Sequence, residues 1–234
     1  MRRLALLAAI LLAPLAAAAQ QPHRPVVVEL FTSQGCSSCP PADAFLADLA
    51  RTRADVLPLG FHVTYWNGLG WRDPFSLDAA TARQRHYAAL FAADGIYTPQ
   101  MVIDGRRDVV GSDRATALAA IRAAAGKAPA GPELRLSQQA GSVTLDAGAG
   151  RGRATLWLIG YDHEHRTAIG RGENSGRTLL EANIVRGIVE AGVWTGAPLH
   201  VSLSQPPGEQ VAAILQADDG SILAAAVAGG PPAG

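Results

Sequence analysis

The first half of the chain alternates short apolar runs with amphipathic stretches. Three apolar runs rich in β-branched residues predict strands, at 26–31, 56–63 and 100–103. Three further stretches predict helices, from Ala42 to about Arg53, from about Leu77 to Ala92 and from Arg114 to Ala125. Pro40-Pro41 can start the first helix and Asp113 can cap the last one. Asp104-Gly105 predicts a hairpin turn into a fourth strand at Val109-Val110. The order of elements predicts an α/β domain over residues 24–126.

Beyond Gly126 the pattern changes. Residues 126–132 are rich in glycine, alanine and proline and predict a linker. Short alternating or apolar runs follow and predict strands, at 133–137, 142–146, 154–161, 184–191, 199–203, 210–216 and 222–227. Their spacing predicts a small antiparallel β module, sandwich-like, over residues 131–228. Residues 229–234 predict a disordered tail.

Residues 1–20 predict a secretory signal peptide. Met1-Arg2-Arg3 is a basic start, and the apolar run from Leu4 to about Ala17 is shorter than the ~20 residues of a membrane-spanning helix. Ala17-Ala18-Ala19 fits the small-residue cleavage rule better than the alternative, an uncleaved membrane anchor. We therefore expect a periplasmic or secreted protein that is free of the membrane after signal cleavage.

The net charge of the chain limits the kinds of partner that we expect. The chain carries 20 basic and 20 acidic residues, which cancel, so no net field recruits nucleic acid or an anionic membrane. We expect a protein or small-molecule partner.

The cysteines carry the strongest chemical signal. The chain has two, Cys36 and Cys39, in the stretch Gly35-Cys36-Ser37-Ser38-Cys39-Pro40 between a predicted strand and a predicted helix. Closing so short a loop removes little entropy from the unfolded chain, so stabilisation is a poor reason for the pair and chemistry a better one. Half of a structural zinc site is an alternative, but the sequence has no second cysteine pair and no H-x(3–5)-H run. A mixed cysteine and histidine metal site and an inert disulfide stay open.

Unequal roles are expected for the two thiols. The unpaired N–H groups of the first helical turn should lower the pKa of Cys36 below the free value of about 8.5. We expect Cys36 to be the more exposed and to attack, and Cys39 to be the more buried and to resolve the mixed disulfide. Since the chain has no third cysteine, a redox cycle needs an external redox partner.

Residues 26–110 resemble thioredoxin-like proteins, and the full chain is similar to a family of exported bacterial proteins, the domain of unknown function 1223 family. The motifs that carry this resemblance are the run from Glu29 through both cysteines to Asp43, then Tyr65-Trp66, and then Tyr97-Thr98-Pro99-Gln100. The resemblance implies a thioredoxin-like domain and thiol–disulfide exchange with protein thiols or disulfides, without a cofactor. The chain departs from well-studied thioredoxins at Gly35, where an aromatic residue is usual, and at Ser37-Ser38, so the direction of electron flow stays open.

The same resemblance implies roles for further residues. Pro99 would follow a cis peptide bond after Thr98 and shape a peptide-binding edge beside the cysteines. Glu29 resembles the buried acid that takes the proton of the second cysteine, with a salt-bridged or edge-facing acid as the alternative.

Substrate contacts are expected from Ser37, Ser38 and Thr98, and from Trp66 and Trp71 in the long loop from Thr64 to Ser76. For the two tryptophans, the alternative is a packed connection in which they fill core.

Copper delivery through the two cysteines and a histidine is the alternative function. The candidate histidines are His62, at the end of a strand, His86, on a helix, and His163 and His165, in an apparent turn. Each is more typical of a structural or surface histidine, and Met101 of a core residue, so no metal ligand is assigned. The polar run from Gly170 to Arg177, with Arg171, Glu173 and Asn174, is more typical of a solvated loop than of a recognition site.

Overall fold

The computed structural model describes residues 24–126 and 131–228 of the chain. The predicted signal peptide, the middle of the predicted linker and the predicted tail lie outside these residues. Within them, no helix is long and apolar enough to cross a membrane.

The first half contains the elements in the predicted order. They are β1 Val26–Thr32, α1 Pro40–Thr52, β2 Val56–His62, α2 Asp78–Leu90, β3 Gln100–Ile103, β4 Arg107–Val110 and α3 Arg114–Ala125. Pro40 and Pro41 occupy the first positions of α1, and the Asp113 side chain accepts a hydrogen bond from the Thr116 N–H as the N-cap of α3. Asp104 and Gly105 form the turn between β3 and β4, both with positive φ. These local predictions are confirmed.

The second half consists of strands within residues 131–228. They are β5 Leu134–Gln139, β6 Ser142–Ala147, β7 Ala154–Ala168, β8 Thr178–Trp194, β9 Leu199–Ser204, β10 Gln210–Ala217 and β11 Ile222–Val227. Strands β7 and β8 are much longer than the apolar runs that predict them. His163 and His165 therefore lie in β7 and not in a turn, because this hairpin continues beyond its apolar core as a polar ladder.

The strands form a large mixed sheet and a small antiparallel one. The large sheet has the order β11-β10-β7-β8-β2-β1-β3-β4, and the small one has the order β5-β6-β9. Strand β1 is parallel to β2 and antiparallel to β3. Strand β8 joins the two halves, because Gly60 of β2 pairs with Ile184 and the Asn183 side-chain N–H donates to the Pro58 carbonyl at 2.8 Å.

The predicted small β module is thus only partly separate. Three of its strands form the small sheet, whereas β7, β8, β10 and β11 extend the sheet of the first half. The predicted boundary near residue 131 does not divide the hydrogen-bonded sheets, and the division into two domains stays a prediction.

The two faces of β1 explain where its side chains go. Val26, Val28 and Leu30 pack with α1 and α3 in one core. Val27 and Phe31 pack on the opposite face, with α2 and strands of the second half. Because side chains alternate along a strand, Glu29 also faces α2 and points away from α1.

Candidate functional site

The cysteines lie in the connection between β1 and α1. They form a disulfide bond, and Cys39 is the N-cap residue of α1. The Cys39 carbonyl accepts hydrogen bonds from the N–H groups of Ala42 and Asp43. Cys36 lies in the turn before the helix, with its Sγ 3.3 Å from the Ser38 Oγ. The helix start therefore holds Cys39, and the expectation that Cys36 sits in the first helical turn is wrong by three residues.

The disulfide is fully covered. Cys36 and Cys39 are both 0% exposed, so in the disulfide form the prediction of a more exposed Cys36 is wrong. Ser37 and Ser38, between them, are exposed. Residues 169–177, the turn that joins β7 to β8, which we call the hairpin loop, contact the backbone of the cysteine turn.

Asn174 fixes the hairpin loop to the cysteines. Its side-chain N–H₂ donates to the carbonyls of Gln34 and Cys36, both at 2.9 Å, and the residue is 1% exposed. The Arg177 guanidinium donates to Asn174 Oδ1 at 3.1 Å, which orients the amide since Arg offers donors only. Next to it, Glu173 Oε2 accepts the Ser37 N–H at 3.1 Å. The expectation of a solvated loop is therefore wrong for Asn174, which is buried, whereas Arg171, Glu173 and Arg177 are exposed.

A second loop, residues 64–76, packs beside the cysteines and carries both candidate tryptophans. Trp66 Nε1 donates to Thr98 Oγ1 at 2.9 Å, and Trp71 Nε1 donates to Gln34 Oε1 at 3.0 Å. A Cβ on Gly35 would lie 3.1 Å from the Trp66 Cβ. The space that an aromatic residue before the first cysteine would need is thus filled by Trp66. Both tryptophans are half-buried, so they pack against the site and still reach its surface.

Pro99 lies against the start of α1. The Thr98–Pro99 peptide bond is cis, as the sequence predicts. The Pro99 carbonyl accepts the Gly111 N–H at 2.9 Å. A Cβ on Gly111 would meet the Pro99 Cβ at 3.2 Å and the Ala42 Cβ at 3.1 Å, so strand β3 and helix α1 converge at this glycine. Pro99 thus lies close to Ala42 of α1 and Thr98 contacts Trp66, while their place beside the cysteines as a peptide-binding edge stays a prediction.

Glu29 does not share this site. Its carboxylate forms a buried ion pair with the Arg83 guanidinium and accepts the Tyr87 O–H at 2.6 Å, on the α2 side of the sheet. The salt-bridged alternative is the one observed. The expectation that Glu29 takes a proton from Cys39 is wrong, because alternation along β1 turns the side chain away from α1.

A different group of buried acids lies near the cysteines. Asp43 follows Cys39 by one turn of α1 and accepts the Thr32 hydroxyl hydrogen at 2.7 Å. His62 Nδ1 lies 2.7 Å from Asp73 Oδ2, and its Nε2 lies 3.8 Å from Glu181 Oε1. Gln34 connects this group to the cysteine turn, because its backbone N–H donates to Asp73 and its side chain donates to Glu181.

Burial and neighbouring charges shift the pKa values of the side chains in this group. It raises the pKa of the Asp43 carboxyl group to about 7, and the Glu181 carboxylate acts in the same direction. Burial also raises the pKa of Glu181, against the opposing effect of His62. Burial disfavours the His62 imidazolium, but the carboxylates, Asp73 first, outweigh it and raise the pKa of His62 to about 9. Asp43 thus titrates near neutral pH.

Two oxygens in this group have no hydrogen-bond partner. Asp43 Oδ2 and Glu181 Oε1 are buried without one. Asp43 also lines a cleft of about 260 Å³ between α1 and the start of β8, with Pro40 and Leu179. Asp43 thus stands between the cysteine turn and this cleft.

Sequence reasoning missed the chemical importance of Asp43, Asp73 and Glu181. Asp43 stands inside the cysteine motif, and its position four residues after Cys39 on a helix was the available signal. Nothing local to Glu181 indicates that β8 brings it to the same place.

The candidate histidines do not assemble a metal site. His62 has carboxylates at both ring nitrogens, His86 is exposed on α2, and His165 bonds to Asp162 and stacks near Phe75. Met101 is fully buried in the core. In the described part of the chain, no three or more cysteine, histidine, aspartate or glutamate side chains are grouped to hold a metal ion.

Comparison with known proteins shows the family of this chain. A family model described as a protein of unknown function (DUF1223) matches residues 27–216. The chain belongs to this family. No curated protein matches it.

Two solved structures are similar to the DUF1223 chain. Protein AGR_C_4864 from Agrobacterium tumefaciens is 31% identical, with 86% of this chain and 92% of that chain covered and a TM-score of 0.73. HBP35 of Porphyromonas gingivalis is 15% identical, with 88% of this chain and 74% of that chain covered and a TM-score of 0.58. The second likeness concerns the fold alone.

Proposed function

We propose that this protein is a thiol–disulfide oxidoreductase of the bacterial cell envelope, periplasmic or secreted, that acts on a protein partner without a cofactor. The observation that carries the proposal is the Cys36–Cys39 disulfide, at the junction of β1 and α1, with the Asp43 carboxyl group one helical turn after Cys39. The basic and apolar N-terminal sequence supports export.

A thioredoxin-like fold for residues 24–126 is part of this proposal. Its support is the strand order β2-β1-β3-β4, with β1 and β2 parallel and the other pairs antiparallel. Helices α1 and α3 pack on one face of β1, and α2 packs on the other. Such a scaffold puts the N-terminus of α1 and the start of β3 side by side at one edge.

The proposed reaction conserves atoms and electrons in two exchanges. In the oxidising direction, a partner thiolate attacks Cys36 Sγ, the Cys36–Cys39 bond breaks, and Cys39 leaves as a thiolate that takes a proton. A second thiolate of the partner then attacks the mixed disulfide and releases Cys36. The partner dithiol becomes a disulfide, and the Cys36–Cys39 disulfide becomes a dithiol. The reducing direction is the reverse.

Asp43 is the proposed proton donor and acceptor for Cys39. Residues four apart on a helix lie on the same face, and both are buried. A carboxyl group with a pKa of about 7 holds its proton about half of the time at neutral pH, which suits transfer in both directions. The cleft beside Asp43 allows the proton to exchange with water.

The surface around the cysteines supports a protein partner. Tyr65, Tyr97 and Val110 are 37%, 36% and 50% exposed, and all lie in or beside the loops that border the site. Exposed aromatic and apolar side chains next to the exposed Ser37 and Ser38 suit a polypeptide better than a small hydrophilic thiol. Because the disulfide is covered, a partner has to displace the hairpin loop or residues 64–76 before it reaches Cys36.

Catalysed exchange tests the proposal. The mature protein, freed of residues 1–20, should accelerate the reduction of a protein disulfide by dithiothreitol at least about tenfold over the uncatalysed reaction, since a positioned dithiol exchanges faster than one in solution. Cys36→Ser should abolish the acceleration. A rate for the wild-type protein equal to that for Cys36→Ser contradicts the proposed activity.

Asp43→Asn should slow this exchange by about 10- to 100-fold, because the Cys39 leaving group loses its proton donor. The measurement is the rate at which a small thiol reduces the oxidised protein, from pH 5 to 9. Each rate is divided by the concentration of that small thiol present as thiolate. For the wild type this rate should fall as pH rises through about 7, where Asp43 loses its proton, and the fall should be absent in Asp43→Asn. Asp48→Asn, on the exposed side of α1, is the matched control. An unchanged pH profile in Asp43→Asn excludes the assigned role.

A further inference from the structure

Glu173 places a negative charge on the cysteine turn. Its Oε2 accepts the backbone N–H of Ser37, the residue directly after Cys36, at 3.1 Å. It reaches this position from the hairpin loop, 136 residues further along the chain. Asn174, held by Arg177, anchors the same loop to the Cys36 carbonyl.

This charge affects the two redox states differently. In the disulfide, Cys36 Sγ is neutral, and the carboxylate simply satisfies a backbone donor. In the dithiol, a Cys36 thiolate depends on nearby backbone N–H groups for its stabilisation. A carboxylate on the adjacent N–H competes for that stabilisation and repels the thiolate.

We propose that Glu173 is a positioning residue that stabilises the disulfide relative to the dithiol, which makes the reduced protein a stronger electron donor toward a protein disulfide. This inference rests on the proposed function and adds to it a residue that shifts the redox equilibrium of the cysteine pair toward the disulfide. In the step that follows, the Cys36 thiolate attacks the partner disulfide and one partner sulfur leaves. Cys39 then attacks Cys36 Sγ and releases the second partner sulfur, so the partner is reduced by two electrons and the Cys36–Cys39 pair is oxidised.

Glu173→Gln isolates the charge. Glutamine keeps an oxygen that can accept the Ser37 N–H, and the positive charge of Arg177 is the same in both proteins, so only the negative charge is removed. Glu164→Gln makes the same chemical change in β7, on the hairpin but away from the cysteine contacts, and is the matched control.

The measurement is the equilibrium of each protein with reduced and oxidised glutathione at fixed pH, read by alkylation of free thiols. Glu173→Gln should shift the equilibrium constant about three- to tenfold toward the dithiol, where tenfold corresponds to about 30 mV. Glu164→Gln should stay within about twofold of the wild type. The shift should shrink at 1 M salt, where the Debye length is about 3 Å.

No shift in Glu173→Gln, or a shift toward the disulfide, overturns the inference. This equilibrium is measured without a protein partner, so its failure is separate from failure of the proposed function. If Glu173→Gln shifts as expected but the protein accelerates no protein disulfide exchange, the proposed function fails and the charge effect stands. If exchange is accelerated and Glu173→Gln has no effect, only the role assigned to Glu173 fails.

Discussion

Replacing Arg83 by methionine is expected to lower the free energy of unfolding by about 3–5 kcal/mol, because it leaves the Glu29 carboxylate buried without its counter-ion. Glu29 is 0% exposed, and Arg83 is its ion-pair partner across the β1–α2 interface. The Arg83 guanidinium also lies over the rings of Phe61 and Tyr87, at 5.7 and 5.3 Å from their centroids, so packing is lost together with charge. Urea denaturation of the oxidised protein measures the change.

Two further variants make this prediction specific. Arg85→Met changes an exposed arginine on the same helix and should lower the free energy of unfolding by less than about 0.5 kcal/mol. The double variant Glu29→Gln and Arg83→Met removes both charges and should recover part of the loss, since the uncompensated carboxylate is gone. If Arg83→Met is no less stable than Arg85→Met, the buried ion pair does not hold α2 against the sheet.

The elements of the first half could be predicted because their signals are local. The valines that open β1, the prolines that open α1 and the Asp104-Gly105 turn each fix the backbone within a few residues. The cysteine pair and its place between a strand and a helix follow from the same local patterns. Its candidate neighbours Thr98 and Pro99 required the resemblance to thioredoxin-like proteins in addition.

The rest depends on pairings between distant parts of the chain. Gly60 pairs with Ile184, and this pairing of β2 with β8 makes four strands of the expected separate module a continuation of the first sheet. Apolar runs identify strands, but they do not say which strands pair. The polar ends of β7 and β8 gave no strand signal, although they carry the hairpin loop to the cysteines.

The surroundings of single acidic side chains could not be predicted from the sequence either. Glu29 and Asp43 both belong to the cysteine motif, and an acid in an apolar strand is the more conspicuous of the two. That Glu29 pairs with Arg83 on α2 follows from the alternation of β1 and from the position of Arg83, and neither is visible in the motif. The cover over Cys36 likewise depends on Asn174, from a stretch whose composition is typical of solvent-exposed loops.

Trapping of partners by single cysteine variants tests the central claim most directly. Cys39→Ser, produced in the native cell with residues 1–20 in place, should accumulate mixed disulfides with partner proteins. Without Cys39 the bond from Cys36 to a partner cysteine has no internal thiol to resolve it, because the chain has two cysteines in all. Cys36→Ser is the matched control, with one thiol remaining at the buried N-cap of α1.

Cells are quenched with acid and alkylated, and adducts are separated on non-reducing gels and identified by mass spectrometry of the linked peptides. The account predicts adducts joined through Cys36 in Cys39→Ser, at least about tenfold more abundant than any adducts in Cys36→Ser. Equal amounts of adducts in the two variants, or none in either, would contradict the assignment of this DUF1223 protein as a thiol–disulfide oxidoreductase.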